Sequence, residues 1–145
     1  MNELFTNLVK LIERNADKLS QRMVNDIKKH PGATSYHTYD EKKLYKQTHQ
    51  AYSQFLGWMA DEISKEDVKN FYTALAKQQR REGFALSEVV QALIITRRHI
   101  WLLIDSEGSL DSAFNLRLAI DVINRAVLFF DRAIYFTVLG FDARD

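Results

Sequence analysis

The sequence predicts an all-α fold: a bundle of about five or six helices closed by one long C-terminal helix. Three observations predict it. Apolar residues recur at spacings of three and four along nearly the whole chain, the signature of a helix that buries one face. No stretch shows the period-two alternation of a half-buried strand. Only one Pro and five Gly stand in 145 residues, so the chain has few places to turn and long helices are favoured.

In the first segment Phe5, Leu8, Ile12, Ala16, Leu19, Met23 and Ile27 fall at helical spacing. Asn15 interrupts it, so one kinked helix and two short helices are both allowed. His30-Pro31-Gly32 ends it, because Pro cannot continue the hydrogen-bond ladder. The polar run to Tyr39 reads as a loop. Asp40 is placed to cap the next helix, whose face is Leu44, Thr48, Ala51, Phe55 and Met59, with Tyr45, Tyr52 and Leu56 beside it. Ser64-Lys65-Glu66-Asp67 has the form of a capping box, with Asp in place of the longer Glu. The helix behind it buries Val68, Phe71, Tyr72, Leu75 and Ala76 and ends near Glu82, where Gly83 suits a left-handed cap. Ser87 is placed to cap a fifth helix with the stripe Val90, Leu93, Ile94, Arg97, Trp101 and Ile104. Glu107-Gly108-Ser109 closes that helix and opens the last one, expected to run from Ser109 to Leu139.

The last helix carries two apolar stripes. The first is Ala113, Leu116, Ile120, Ile123, Val127, Phe130, Ile134, Thr137 and Phe141. The second, one face over, is Ala119, Val122, Ala126, Phe129, Ala133 and Phe136. A face this wide exceeds a two-stranded seam. It asks for cover from its own domain, from a second copy, or from both. The bulky first stripe suits the intrachain core. Small residues alternate with large ones in the second, so Ala119, Val122, Ala126, Phe129, Ala133 and Phe136 are the expected intersubunit stripe.

Composition narrows the function. One domain of this length holds a sizeable core. A 46% apolar fraction with 27% charged residues fits a globular protein. The formal net charge of +1 gives no general pull toward nucleic acid or acidic membranes. Absence of Cys removes disulfides, thiolate metal sites and a Cys nucleophile, and accords with a reducing cytoplasm. No apolar run reaches the roughly 18 residues of a membrane span, and no signal peptide opens the chain.

Catalytic and cofactor motifs are missing. The residues three before His30, His37, His49 and His99 are Ile27, Thr34, Lys46 and Thr96, so no Glu-x-x-His di-iron pair exists. There is no His-Glu-x-x-His motif, nucleophile elbow, P-loop or Rossmann glycine pattern. His99 with Arg97 and Arg98 raises haem as an alternative, against a surface or interface histidine, and no cofactor is the expectation. Gln79-Arg80-Arg81 and Arg97-Arg98 read as solvated basic faces. Arg97 shares a stripe with Leu93 and Trp101, and Asp131 sits within Phe129-Phe130-Asp131-Arg132. Both need partners or an exit to water. Arg97, Trp101, Asp131 and Tyr135 are therefore the candidate ligand pocket or polar core, against a plain ion pair. The tyrosines from Tyr36 to Tyr52 either line a pocket or fill the core.

The most distinctive stretch is Arg80-Arg81-Glu82-Gly83-Phe84-Ala85-Leu86-Ser87-Glu88-Val89-Val90-Gln91-Ala92-Leu93, continuing to Arg97-Arg98. It resembles the signature of the RsbRD N-terminal domain family, the sensory domains of RsbR-type stressosome co-antagonists and of some sensor histidine kinases. The opening Leu11-Ile12-Glu13-Arg14-Asn15-Ala16-Asp17-Lys18-Leu19 and the order of helices suit it too. The resemblance implies a globin-like fold without haem, a homodimer, and a C-terminal output module such as a STAS domain or kinase. No output module lies within these residues, so a fragment of a longer signalling protein is expected. A groove that binds a partner helix, without sensing a small molecule, is the alternative function.

Overall fold

Six α-helices follow one another, with no strand among the described residues. The computed structural model describes residues 3–107 and 112–143. The helices are α1 (Glu3–Arg14), α2 (Ala16–Ile27), α3 (Glu41–Met59), α4 (Lys65–Arg81), α5 (Leu86–Glu107) and α6 (Ala113–Asp142), with a 3-10 turn at Thr34–Tyr36. Gly108, Ser109 and the side chain of Phe5 lie outside the described residues, so α6 begins, as far as it is described, at Ala113 rather than Ser109.

Local chemistry sets the boundaries. At Asn15 the chain breaks into two helices, and the Asn15 side-chain amide donates to the Leu11 carbonyl at 2.8 Å, satisfying the end of α1. Asp40 accepts from the Lys43 N–H at 3.1 Å and caps α3. The box at α4 closes both ways: Ser64 Oγ accepts from Asp67 N–H at 3.1 Å, and Asp67 accepts from Ser64 N–H at 2.9 Å. Asp therefore serves where the sequence offered no Glu. After α4, Gly83 adopts φ +93°, while Phe84 N–H donates to Gln79 and Gly83 N–H to Arg80. That is a Schellman ending, which needs the left-handed conformation glycine adopts without strain. Ser112 Oγ accepts from Asn115 N–H at 3.1 Å and caps α6.

Helix α6 runs through the bundle, packing mainly against α4 and α5 and also against α1, while α2 packs against α3 and α5. Gly140 marks the tightest approach: a Cβ there would lie 2.7 Å from both the Thr73 carbonyl oxygen and the Ala76 methyl of α4. The larger core cluster joins Leu8, Ile12, Tyr52, Phe55, Ile100, Leu103, Val122, Phe129 and Phe130, among others. At its centre, Phe129 contacts the rings of Phe55, Trp58, Tyr72 and Phe130 at centroid distances of 5.1–6.1 Å. A second cluster gathers Met23, Ile27, Tyr36, Leu44, Phe84, Val89 and Ile95 at the corner where the 33–39 loop meets α5.

The expected inward faces of α1, α2 and α3 hold: Leu8, Ile12, Leu19, Met23, Ile27, Leu44, Ala51 and Phe55 are all buried. The faces of α5 and α6 hold only in part: Leu93 and Ile104 of the α5 stripe, and Phe130 and Thr137 of the first α6 stripe, are buried. In α6 the six residues Ala119, Val122, Ala126, Phe129, Ala133 and Phe136 are at most 5% exposed within the single chain, so they are not available to a partner. Their small members let helices of the same domain approach closely. Leu116, Ile120 and Val127, expected in the core, are 37–49% exposed. In α5 the buried row is Val89, Ala92, Leu93, Thr96, His99, Ile100 and Leu103, whereas Ile94 and Trp101 of the expected stripe face outward.

Candidate functional site

Two places stand out: the outer face of α5 and α6, and the corner that holds the signature stretch. On the outer face a shallow groove of about 300 Å³ is lined by Ile94, Arg97, Trp101, Ile123, Ala126 and Val127. Arg97, of this lining, pairs with Asp131 of α6, Nη1 to Oδ1, at 3.2 Å. Both are partly in water, so the contact is a surface ion pair, of the kind contributing ~0–1 kcal/mol. Trp101 lies in the groove and is 42% exposed; Tyr135 is 60% exposed and does not line it. The four residues therefore do not form a polar core. Arg97 and Asp131 are joined, Trp101 shares the groove lining with Arg97, and Tyr135 stands apart beside Phe136.

At the corner, the signature residues turn out to be ties between elements. Arg80 Nη1 donates to the carbonyls of Phe141 and Ala143, at 2.9 and 2.7 Å, and so caps the C-terminal end of α6. Glu82 accepts from the Tyr39 hydroxyl at 2.7 Å and from the Gln78 amide at 2.9 Å. Phe84 packs on the rings of Tyr36 and Tyr39, at 4.5 and 5.0 Å. Glu88 accepts from the backbone N–H and hydroxyl of Ser35, each at 2.7 Å, and from the Ala85 N–H at 3.0 Å. It is therefore Glu88, not Ser87, that caps α5. Burial disfavours its ionised form, but these donors outweigh that penalty and hold its pKa below the usual carboxylate range.

His99 corrects the expectation of a surface or interface histidine. It is 8% exposed, and its Nε2 lies 3.0 Å from Asp26 Oδ2. Burial lowers its pKa despite that carboxylate, with Arg22 and Arg98 adding to the effect. The ring and the carboxylate pair within the fold, and desolvation favours the neutral form of the imidazole. His99 Nε2 is thus engaged with Asp26, and the ring lines neither the outer groove nor the interior cavity. Among the described residues, no three potential metal ligands gather and no helix is long and apolar enough to cross a membrane.

The tyrosines divide. Tyr39 and Tyr45 bond at the surface to Glu82 and Asp17, whereas Tyr52 is buried and donates to the Thr96 carbonyl at 2.8 Å. Tyr36 lines an interior cavity of about 40 Å³ between α2, α3, α4, α5 and α6. Sequence reasoning missed Gln79 there: it stands one turn beyond Leu75 and Ala76 on the buried face of α4, a spacing that places it inward. No protein-family model matches the chain, and no curated protein matches it.

Proposed function

We propose that the chain is a non-catalytic, dimeric sensory or regulatory domain of bacterial signal transduction. It would act in the cytoplasm and pass its signal to a C-terminal output module such as a histidine kinase or STAS domain. One observation carries the reading. Every large apolar side chain exposed among the described residues lies on α5 or α6: Ile94, Trp101 and Leu102 on the first, and Leu116, Ile120, Val127, Leu128, Tyr135 and Leu139 on the second. Such a concentration marks an association surface rather than scattered exposure.

A second copy is the occupant this face suits. It carries both signs of charge in Arg97 and Asp131, so a two-fold pairing of the face with itself can set opposite charges against each other. Two copies joined through α5 and α6 form a bundle whose relative rotation α6 conveys along its length. A ligand or partner that favours one arrangement then biases the output. The resemblance of residues 80–98 to sensory domains of bacterial signalling supports the same role.

Sedimentation equilibrium at tens of micromolar tests the proposal. A dimer is expected, and the double variant Trp101→Glu, Val127→Asp should be a folded monomer, because both side chains already touch water. A monomeric native protein would overturn the reading. It would favour instead capture of a partner helix in the α5–α6 groove, for which the apolar lining of that groove is the supporting feature.

A further inference from the structure

The interior cavity has a chemistry that the core does not need. Its lining comes from α2 to α6 and the loop between α2 and α3, and includes Tyr36, Gln47, Thr48, Tyr72, Gln79, Thr96 and Thr137 among apolar neighbours such as Met23 and Leu93. None of the lining side chains carries a charge. The three threonines spend their hydroxyl protons on carbonyls one turn back in their own helices. Two buried atoms are left over. Among the described residues Tyr72 Oη and Gln79 Oε1 have no hydrogen-bond partner, although Tyr72 is 1% and Gln79 4% exposed. The other end of the Gln79 amide reaches Tyr36 Oη at 3.4 Å. Turning the amide over would only exchange which end is unfilled.

Leaving such groups dry in an apolar interior is costly, so a cavity that gathers two of them is a place where something polar is bound. Burial also raises the pKa of both Tyr36 and Tyr72, keeping the phenols neutral. An anion would meet no cation here and a cation no carboxylate, so charged molecules are excluded by desolvation. The volume sets the size: about 40 Å³ accommodates roughly three waters or one molecule of similar bulk.

We propose that this cavity is a binding site for a small uncharged molecule with an apolar body and a hydroxyl or amide group, a short-chain alcohol or primary amide, held by Tyr72 and Gln79. The apolar part replaces water against Met23, Leu44 and Leu93, while the polar group supplies the partner those two side chains lack. The proposal deepens the signalling reading by naming a class of signal. It is tested by binding to the single chain, which does not depend on whether the chain dimerises.

The experiment is an NMR titration of the whole 15N-labelled chain with ethanol, acetamide and acetate. Saturable shifts are expected for amides around the cavity with the two neutral probes, and at least tenfold weaker binding of acetate, which has nearly the same shape as acetamide. Tyr72→Phe removes one oxygen without changing volume, and Gln79→Leu removes the amide at similar bulk. Each should weaken the neutral probes at least fivefold, while the surface change Gln50→Ala leaves them unaffected. Linear, unsaturating shifts with both neutral probes would overturn the proposal, as would equal binding of acetate. Native-like binding by folded Tyr72→Phe and Gln79→Leu chains would do the same.

Discussion

Glu88 holds Ser35 by two hydrogen bonds of 2.7 Å across 53 positions of sequence, one from the backbone N–H and one from the hydroxyl. The same carboxylate caps α5 through Ala85 N–H. One side chain thus fixes where α5 starts and where the 33–39 loop lies against it. Glu88→Ala strips three donors of their acceptor and is expected to cost about 2–4 kcal/mol, from hydrogen bonds to a charged group plus a lost cap. Urea unfolding at pH 7 measures it. Because the folded pKa of Glu88 is lowered, its contribution is present above the unfolded value of about 4.3 and is lost as pH falls through the folded one. The gap between native and Glu88→Ala chains should therefore narrow in acid.

His99 gives a second pH dependence with its own window. Its folded pKa is depressed by burial, so the unfolded chain binds a proton more readily. Native stability should fall as pH drops below about 6.5 toward the lower folded value, and level off beneath it. His99→Gln should show a flatter curve between pH 7 and pH 5. The other histidines are common to both chains, so the difference between the two curves isolates His99.

The two faces of α6 predict opposite responses to mutation. Phe129→Ala removes the ring at the centre of the aromatic cluster and should cost about 3–5 kcal/mol. Leu116→Ser, on the exposed stripe, should change the stability of the isolated fold by no more than about 0.5 kcal/mol. Thermal unfolding at low protein concentration makes the comparison.

Gly140→Ala tests the α4–α6 contact. The added methyl meets the Thr73 carbonyl and the Ala76 methyl, neither of which is the far end of a flexible side chain. The helices must part, at a cost of about 1–3 kcal/mol. A drop in the urea midpoint with unchanged slope is the expected result.

Arg80→Ala should fray the end of α6 while leaving the core intact. Loss of the bonds to Phe141 and Ala143 is expected to speed amide exchange in the final turn and leave exchange around Phe129 unchanged.

The helices α1 to α4 were legible because each is apolar on one side only, and their caps at Asp40, Ser64 and Gly83 each carry a local mechanism. Helices α5 and α6 were legible as helices, but their inward faces were not, because both sides are apolar and periodicity then has no preferred phase. In α5, Ile94 and Ile95 are adjacent and chemically alike, yet only Ile95 is buried. Choosing the row of Ile94 turned Trp101 inward and His99 outward, the reverse of what the fold does. The row Ala92, Thr96, His99 and Leu103 has equally good helical spacing, but its polar members made it look like the wet side. In α6, alanines at 119, 126 and 133 signalled close approach without saying to what. The partner proved to be the chain's own helices. The roles of Arg80 and Glu88 depend on residues 61 and 53 positions away, beyond the reach of local pattern.

The chain carries two tryptophans, and the fold divides them. Trp58 packs at a tilt against Phe129, ring centroids 5.6 Å apart, on the edge of the core, while Trp101 stands in water on the α5–α6 face. Their emission therefore offers two optical channels in one unlabelled molecule. Trp101→Phe leaves a probe that reports on unfolding, and Trp58→Phe leaves one that should shift to the blue when the outer face is covered. Folding and association can then be followed separately, by colour.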